Sequence, residues 1–367
     1  MSSSTFPVEV MNEIFRSSEL DHSTLANCCL LSKRYLDTAR TWLYNSVSMV
    51  VVVDSKPVGR CIGPASRTIE YDSATWKLLV LLHWEPIFRQ FIRLLKVRVT
   101  YSTAGRSGVP TSVGHALANF LVISPRIRHL LLCGTRESNY NILVELTPLD
   151  LAQITHMTID GVDEISVAIF SSLPQLEVLT VDCLDLESIS SEYRPRNLRC
   201  LFVKNSDFHD YTFFLVSSAS TLRELHLPLA SLFSLSLVDY PNLSRLGFSV
   251  EPDLAMSDIL RSKSFWETLV KADNIRNLTL DGDTLSPHMD SFLFGSWMGF
   301  MVASPPSLRR IEFTEAVPLE RLEHILAAKR PIQIGIGRQA MFTTSAVKYQ
   351  GILAMCQTAG VEVILLS

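Results

Sequence analysis

Residues 222–227 read Leu222-Arg223-Glu224-Leu225-His226-Leu227, that is LRELHL: apolar, x, x, apolar, x, apolar. Seven further segments fit this template: IRHLLL from Ile127, ITHMTI from Ile154, LEVLTV from Leu176, LRCLFV from Leu198, LSRLGF from Leu243, IRNLTL from Ile275 and LRRIEF from Leu308. LLKVRV from Leu94 and VEVILL from Val361 extend the set at either end. Successive starts from Ile127 are 27, 22, 22, 24, 21, 32 and 33 residues apart. One match arises easily by chance, but eight at such intervals are the signature of a repeat architecture.

Each motif alternates as a short strand does, so its fourth and sixth residues point to one face and its third, fifth and seventh to the other. Several motifs are introduced by a proline, as in SLPQL, DYPNL and SPPSL, which forbids helix just before it. Between motifs lie helix-like stretches: VAIFSSL before Leu176, YTFFLVSS before Leu222, SFLFGSWMGFMVA before Leu308 and LERLEHILAA after it. One strand–helix unit cannot bury its own apolar face, so the units must stack into an α/β solenoid. Over roughly residues 90–367 the chain resembles the leucine-rich repeat. The Asn (or Cys) usual at that family's ninth position is missing: LRCLFV places Ser206 there, with Asn205 one residue early. An irregular solenoid with uneven curvature is therefore expected.

Stacking aligns the outward residues of successive motifs into a sheet surface. It holds an apolar middle around Leu131, Val178 and Phe202, with mixed charge elsewhere. Apolar and aromatic anchors in a polar frame suit protein recognition. The candidate substrate-binding residues are Leu131, Thr158, Thr180, Phe202, His226, Arg245, Thr279 and Glu312; the alternative is an ordinary solvated sheet face. Arginine also recurs at the second motif position, as Arg128, Arg199, Arg223, Arg276 and Arg309. These either form a basic ridge open to an acidic or phosphorylated segment, or cover apolar surface with their stems.

The N-terminus raises a different question, because it is apolar where most chains fray. In FPVEVMNEIFRSSELDHSTLANCCLLSKRYLDTARTWLYNSV, Pro7 fits the first position of a helix, and Val10, Met11, Ile14 and Phe15 make one apolar face. Asp21-His22-Ser23 offers caps for a second helix with Leu25, Cys28, Cys29 and Leu31. Ser32 starts a third, with Leu36, Ala39 and Leu43 on one side. This three-helix segment resembles an F-box. The residues that carry the resemblance are Phe6-Pro7, Glu9, Ile14-Phe15, Leu20-Asp21, Leu25, Leu31-Ser32-Lys33-Arg34-Tyr35 and Leu43-Tyr44. Phe6 replaces the family's Leu, Lys33 its Arg and Tyr35 its Trp. The resemblance implies a partner, the Skp-type adaptor of SCF (Skp–cullin–F-box) ubiquitin ligases, and an adaptor-binding set of Phe6, Pro7, Val10, Ile14, Phe15, Leu25, Leu31 and Tyr35. It implies a substrate receptor that holds an unknown target protein. The alternative is that these helices only cap a protein-binding scaffold.

The expected organisation is an F-box-like module over 1–48, a connecting strand, loop and packing helix over 49–90, and the solenoid over 91–367. The helix signal lies near Trp76–Leu82, and the best surface-loop candidate is STAGRSGVPTSVG, 102–114.

Composition narrows the function classes. The 367 residues are 47% hydrophobic, which opposes disorder, and the net charge of −4 offers no basic field for nucleic acid. SVSMVVVV and WKLLVLLHW fall short of the roughly 18 apolar residues a membrane span needs. No secretory signal stands at the start. The seven cysteines form no C-x-x-C pair and are odd in number, which points to reduced thiols in an intracellular, cytoplasmic or nuclear setting. The sequons at Asn242 and Asn277 lie in apolar strand-like runs, which suits core packing better than glycosylation.

Catalytic and cofactor motifs are scarce. Gly335-Ile336-Gly337-Arg338-Gln339-Ala340 follows the strand-like PIQI in a superficial dinucleotide pattern, but strand–helix–strand order is also what another repeat produces. Asp281, Asp283, His288 and Asp290 lack calcium-loop spacing. No G-x-S-x-G, H-E-x-x-H or Walker motif occurs. The expectation is a non-enzyme that uses no metal or cofactor.

Overall fold

In the computed structural model every one of the eight motifs becomes a strand at its third residue. The structure describes residues 10, 36–54, 69–71, 73–102, 120–134, 151–161, 165–166, 170, 173–182, 186–187, 197–204, 214–232, 235–249, 269–281, 305–314, 322, 326, 333–337 and 346–365. Of the adaptor-binding set only Val10 falls among these; it is helical and exposed. Phe6, Pro7, Ile14, Phe15, Leu25, Leu31 and Tyr35 lie outside the described residues, as do Ser206, the stretch 291–303 and most of the 102–114 segment.

The chain divides into two compact units, residues 1–177 with 182–195, and 178–181 with 196–367. This division falls within the run of repeats. The first unit contains helix α1 (Leu36–Leu43), β1 (Ser46–Asp54), β2 (Ile69–Tyr71), α2 (Ser73–Trp84), a 3-10 helix (Pro86–Phe91), β3 (Leu94–Ser102), β4 (His129–Cys133) and β5 (His156–Asp160). Its strand order is β5-β4-β3-β1-β2, parallel except for β2 against β1. Two short strands of this unit, β6 (Ile165–Ser166) and β8 (Leu186–Glu187), pair with each other. The second unit begins with β7 (Val178–Asp182) and continues through β9 (Cys200–Lys204), β10 (Glu224–Pro228), α3 (Leu229–Leu232), β11 (Arg245–Ser249), β12 (Asn277–Asp281), β13 (Arg310–Phe313), β14 (Gln333–Ile336), α4 (Ala346–Thr358) and β15 (Val363–Leu365). Its strands stack in chain order, and the pairs from β9 to β15 are parallel. Parallel neighbours need a crossover, and helix fills some of them: 214–218 is helical, and α4 joins β14 to β15. Each unit is thus a solenoid-like α/β array. Among the described residues, no helix is long and apolar enough to cross a membrane.

The inward positions form the core. The first motif residues (Ile127, Ile154, Leu176, Leu198, Leu222, Leu243, Ile275 and Leu308) are at most 4% exposed. Leu130, Met157, Leu179, Leu201, Leu225, Leu246, Leu278 and Ile311 at the fourth position are at most 1% exposed. Full burial of each such side chain contributes about 1.5–3 kcal/mol.

The prolines prove to have a more local task than stopping helices. Amides of Ile127, Leu176 and Leu243 donate to the carbonyls of Ser124, Leu173 and Tyr240, which closes a four-residue turn before each strand. Pro125, Pro174 and Pro241 stand second in those turns, where a fixed φ is favourable. A polar side chain just ahead of a motif then ties turn to turn. Gln153 donates to Leu121 O at 3.2 Å, Thr221 to Leu198 O at 2.7 Å, Asn242 to Ser220 O at 2.7 Å and Ser307 to Ile275 O at 2.8 Å, and Asn274 donates to Pro241 O. Asn242 is therefore an exposed turn residue, contrary to the core position expected of its sequon.

Two end motifs are out of step with the template. Leu95 and Val97 pair with Leu130 and Leu132, so the repeat begins at Ile92, two residues before LLKVRV. IRLLKV from Ile92 satisfies the template, and Ile92 is fully buried. At the other end Val363 pairs with Ile334 and Leu365 with Ile336. That sets Val363 and Leu365 on the inward register and Ile364 beside Gly335, one residue off the expected alignment. Gly335 itself lies within β14, beside Glu312 on β13. A Cβ on Gly337 would come within 2.7 Å of Thr314 O, which explains that glycine by close strand approach.

Candidate protein-binding surfaces

The outward columns divide between the two units. Leu131 and Thr158 belong to the first; Thr180, Phe202, His226, Arg245, Thr279 and Glu312 belong to the second. Each unit has a distinct chemistry.

In the first unit, parallel register sets His129 beside His156, Leu131 between Lys96 and Thr158, and Cys133 between Arg98 and Asp160. The two imidazoles stack with centroids 4.0 Å apart and planes 32° apart. His156 Nδ1 shares a 2.9 Å hydrogen bond with Thr155 Oγ1. Burial pushes both imidazole pKa values down; the neighbouring His156 adds to this at His129, whereas Glu177 opposes it at His156. Burial raises the Cys133 thiol pKa, with Asp160 adding to it and Lys96 and Arg98 opposing, so this cysteine is a poor nucleophile.

The stacked pair predicts a pH response. A folded-state pKa below the unfolded value of about 6.5 means that the unfolded chain binds protons first as pH falls. Stability is then fully present above that value and is lost as pH drops from it toward the depressed folded values. Thermal melts between about pH 7.5 and 5 should show a falling midpoint, with a shallower fall in His129→Asn/His156→Asn. Parallel profiles for the two proteins would refute the assignment.

In the second unit, the third motif positions of successive strands read Cys200, Glu224, Arg245, Asn277, Arg310 and Gln333. Neighbouring strands lie about 4.8 Å apart, so these side chains meet laterally. Arg245 reaches Glu224 and Glu312 at 3.4 Å each, and Arg310 reaches Glu312 at 3.4 Å. Thr279 Oγ1 donates to the second Glu312 oxygen at 3.3 Å. Arg310 donates through Nε and Nη2 to Gln333 Oε1, and Gln333 Nε2 donates to Glu362 at 2.7 Å. Asn277, with its amide turned to satisfy both groups, accepts from Arg245 Nε and donates to Arg276 O at 3.1 Å each.

Thr279 and Glu312 are only 8% and 6% exposed. Glu312 meets both arginines and Thr279 donates to Glu312, so these two are covered, whereas the other six expected binding residues are partly exposed. Glu224, Arg310 and Gln333 were not singled out from the sequence. Their signal was there, in opposite charges repeating down one motif position.

Beside this network lies an aromatic step. The Phe202 and His226 rings are 5.6 Å apart at 51°. A Cβ built on Gly247 would fall 1.3 Å from His226 Nε2. The imidazole therefore extends over the next strand into the space that glycine leaves. Phe202 and His226 stand side by side on β9 and β10, Arg245 lies beside Glu224 two residues earlier on β11, and all three remain partly exposed.

The second-position arginines are exposed in the second unit, at Arg199, Arg223, Arg276 and Arg309. Their backbone makes a ladder: the carbonyls of Arg199, Arg223 and Arg276 each accept two amides from the following repeat. In the first unit Arg128 Nη1 folds back onto the carbonyls of Pro125 and Ile127, at 2.9 and 3.1 Å. Among the described residues, no group of three His, Cys, Asp or Glu side chains is arranged to hold a metal. The open aromatic and charged residues can form contacts with a protein or peptide. Comparison of the chain with protein-family models and with curated proteins finds no match.

Proposed function

We propose that this chain is a non-catalytic substrate receptor of an SCF-type ubiquitin ligase, which docks on a Skp-type adaptor through residues 6–44 and binds a target protein with the outward faces of its strand arrays. The observation that carries this reading is the order of parts: the F-box-like run from Phe6-Pro7 to Leu43-Tyr44 leads directly into β1 of a repeat array. The junction is packed. Ala39 of α1 is fully buried, the Tyr44 ring stacks 4.5 Å from Phe88, and the Arg40 guanidinium lies 5.7 Å from the same ring. A receptor acts by raising effective concentration, and a stiff junction preserves that gain.

The same packing favours a second reading, a protein-binding scaffold whose N-terminal helices only cap the first repeat. Co-purification with a purified Skp-type adaptor separates the two. The intact chain should bind, and Ile14→Asp/Leu31→Asp should lose binding while retaining its circular dichroism spectrum. Failure of the intact chain to bind would remove the ligase reading and leave the scaffold.

A further inference from the structure

Helix α2 has apolar residues on both sides. Leu82 is fully buried, and Thr75, 2% exposed, accepts the Val50 amide at 2.8 Å, which anchors the helix to β1. On the other side Trp76, Val80 and Trp84 follow one another at four-residue intervals, and they are 57%, 37% and 75% exposed. Residues so spaced share one helix face. An exposed apolar row of this kind marks a contact surface.

Arginines gather past the end of α2. Arg89 donates to the carbonyls of Leu82 and His83 at 2.6 and 3.0 Å, at the end of α2. One residue on, Gln90 O accepts from both Arg93 Nη1 at 2.8 Å and Arg126 Nη1 at 3.3 Å. Two like charges are thus held on one carbonyl. The charges that Arg93 feels are those of Arg126 and Arg128, which together with the larger effect of burial lower its pKa. No ion pair among the described residues includes any of these arginines. Each guanidinium has five donors in a fixed fork, and the carbonyl bonds use only some of them.

We propose that α2 and the Gln90 arginines form a docking surface for a partner protein's amphipathic acidic segment, with its apolar side chains on Trp76, Val80 and Trp84 and its carboxylates on Arg93 and Arg126. Charge complementarity selects the partner: clustered cations that make no ion pair among the described residues, not even with the neighbouring Glu85, gain most from an acidic ligand. Guanidiniums fixed by backbone carbonyls suit paired carboxylate recognition, whereas a lipid surface needs only a diffuse positive field. The apolar row runs about 12 Å, the length of roughly two turns of a partner helix. This surface is separate from the outward strand faces and does not depend on the adaptor reading.

The test is selection of displayed random peptides on the full chain, in parallel with Arg126→Glu and with Trp84→Ala. Both positions are exposed, so neither change empties the core. Peptides that combine Asp or Glu with Leu, Phe or Trp should be enriched on the wild type. Their measured affinity should fall about tenfold or more in Arg126→Glu, as for loss of a charged hydrogen bond, and fall also in Trp84→Ala. Lack of acidic enrichment, or acidic peptides that bind both variants as tightly as the wild type, would overturn the proposal. Co-sedimentation with phosphatidylserine vesicles, lost in Arg126→Glu, in the absence of acidic peptide binding would replace it with a membrane surface.

Discussion

Phe248→Ala should lower the stability of the protein by about 3–5 kcal/mol, the usual cost of emptying a buried aromatic site. Phe248 is fully buried at the sixth motif position of β11, paired with Leu227 on β10 and Leu280 on β12. In a stacked array each repeat holds its neighbours, so a cavity here weakens two interfaces at once. The loss is large against a typical total of 5–15 kcal/mol, and urea denaturation would measure it. Phe202→Ala is the matched control. Phe202 stands on the outward side of β9 and is partly exposed, so its truncation should cost about 1 kcal/mol or less. Equal losses for the two phenylalanines would mean that the inward and outward faces are wrongly assigned.

The second large effect concerns Glu312. Its side chain is 8% exposed, and its carboxylate is held by Arg245, Arg310 and Thr279. Arg245→Met/Arg310→Met would leave that carboxylate buried without a cation. Loss of partners around a buried charge costs about 3–5 kcal/mol when the pair is fully enclosed. The guanidiniums here remain 40% and 30% exposed, so about 2–3 kcal/mol is expected after solvent screening. Adding Glu312→Gln to the double variant should recover most of the loss, because a neutral amide no longer needs a counter-charge. Urea midpoints of the three proteins would decide it. A double variant as stable as the wild type, or a triple variant no better than the double, would show that the network contributes nothing to stability.

Strand positions and core faces were legible in the repeated template, because a period of two assigns each residue to one side of a sheet. The burial of Leu225, Leu227 and Ile311 follows from that alternation alone, whereas Ile127 precedes its strand and is buried by the turn that leads into it. The end repeats were read less well. VEVILL contains four apolar residues in a row, and alternation alone does not choose among the frames that such a run permits. In LLKVRV the alternation from Leu95 to Val99 gives the same inward face for a start at Ile92 or at Leu94. Hydrogen bonding to β4 and β14 selected Ile92 as one start and put Val363 and Leu365 on the inward register.

The surfaces divide in the same way. Phe202, His226 and Arg245 could be placed on the outward side from their own motifs. The buried state of Glu312 could not, because it depends on Arg245 and Arg310 from other positions, one of them 67 residues away. The extension of His226 over Gly247 likewise needs the β10–β11 register, which places a missing side chain beside a long one. By itself, then, the sequence determined the repeat, the strands and the side each residue faces, since these depend on spacing along the chain. Only the tertiary structure decided which outward residues are open and which are covered, since that depends on neighbours about 4.8 Å away across the sheet and tens of residues distant in sequence.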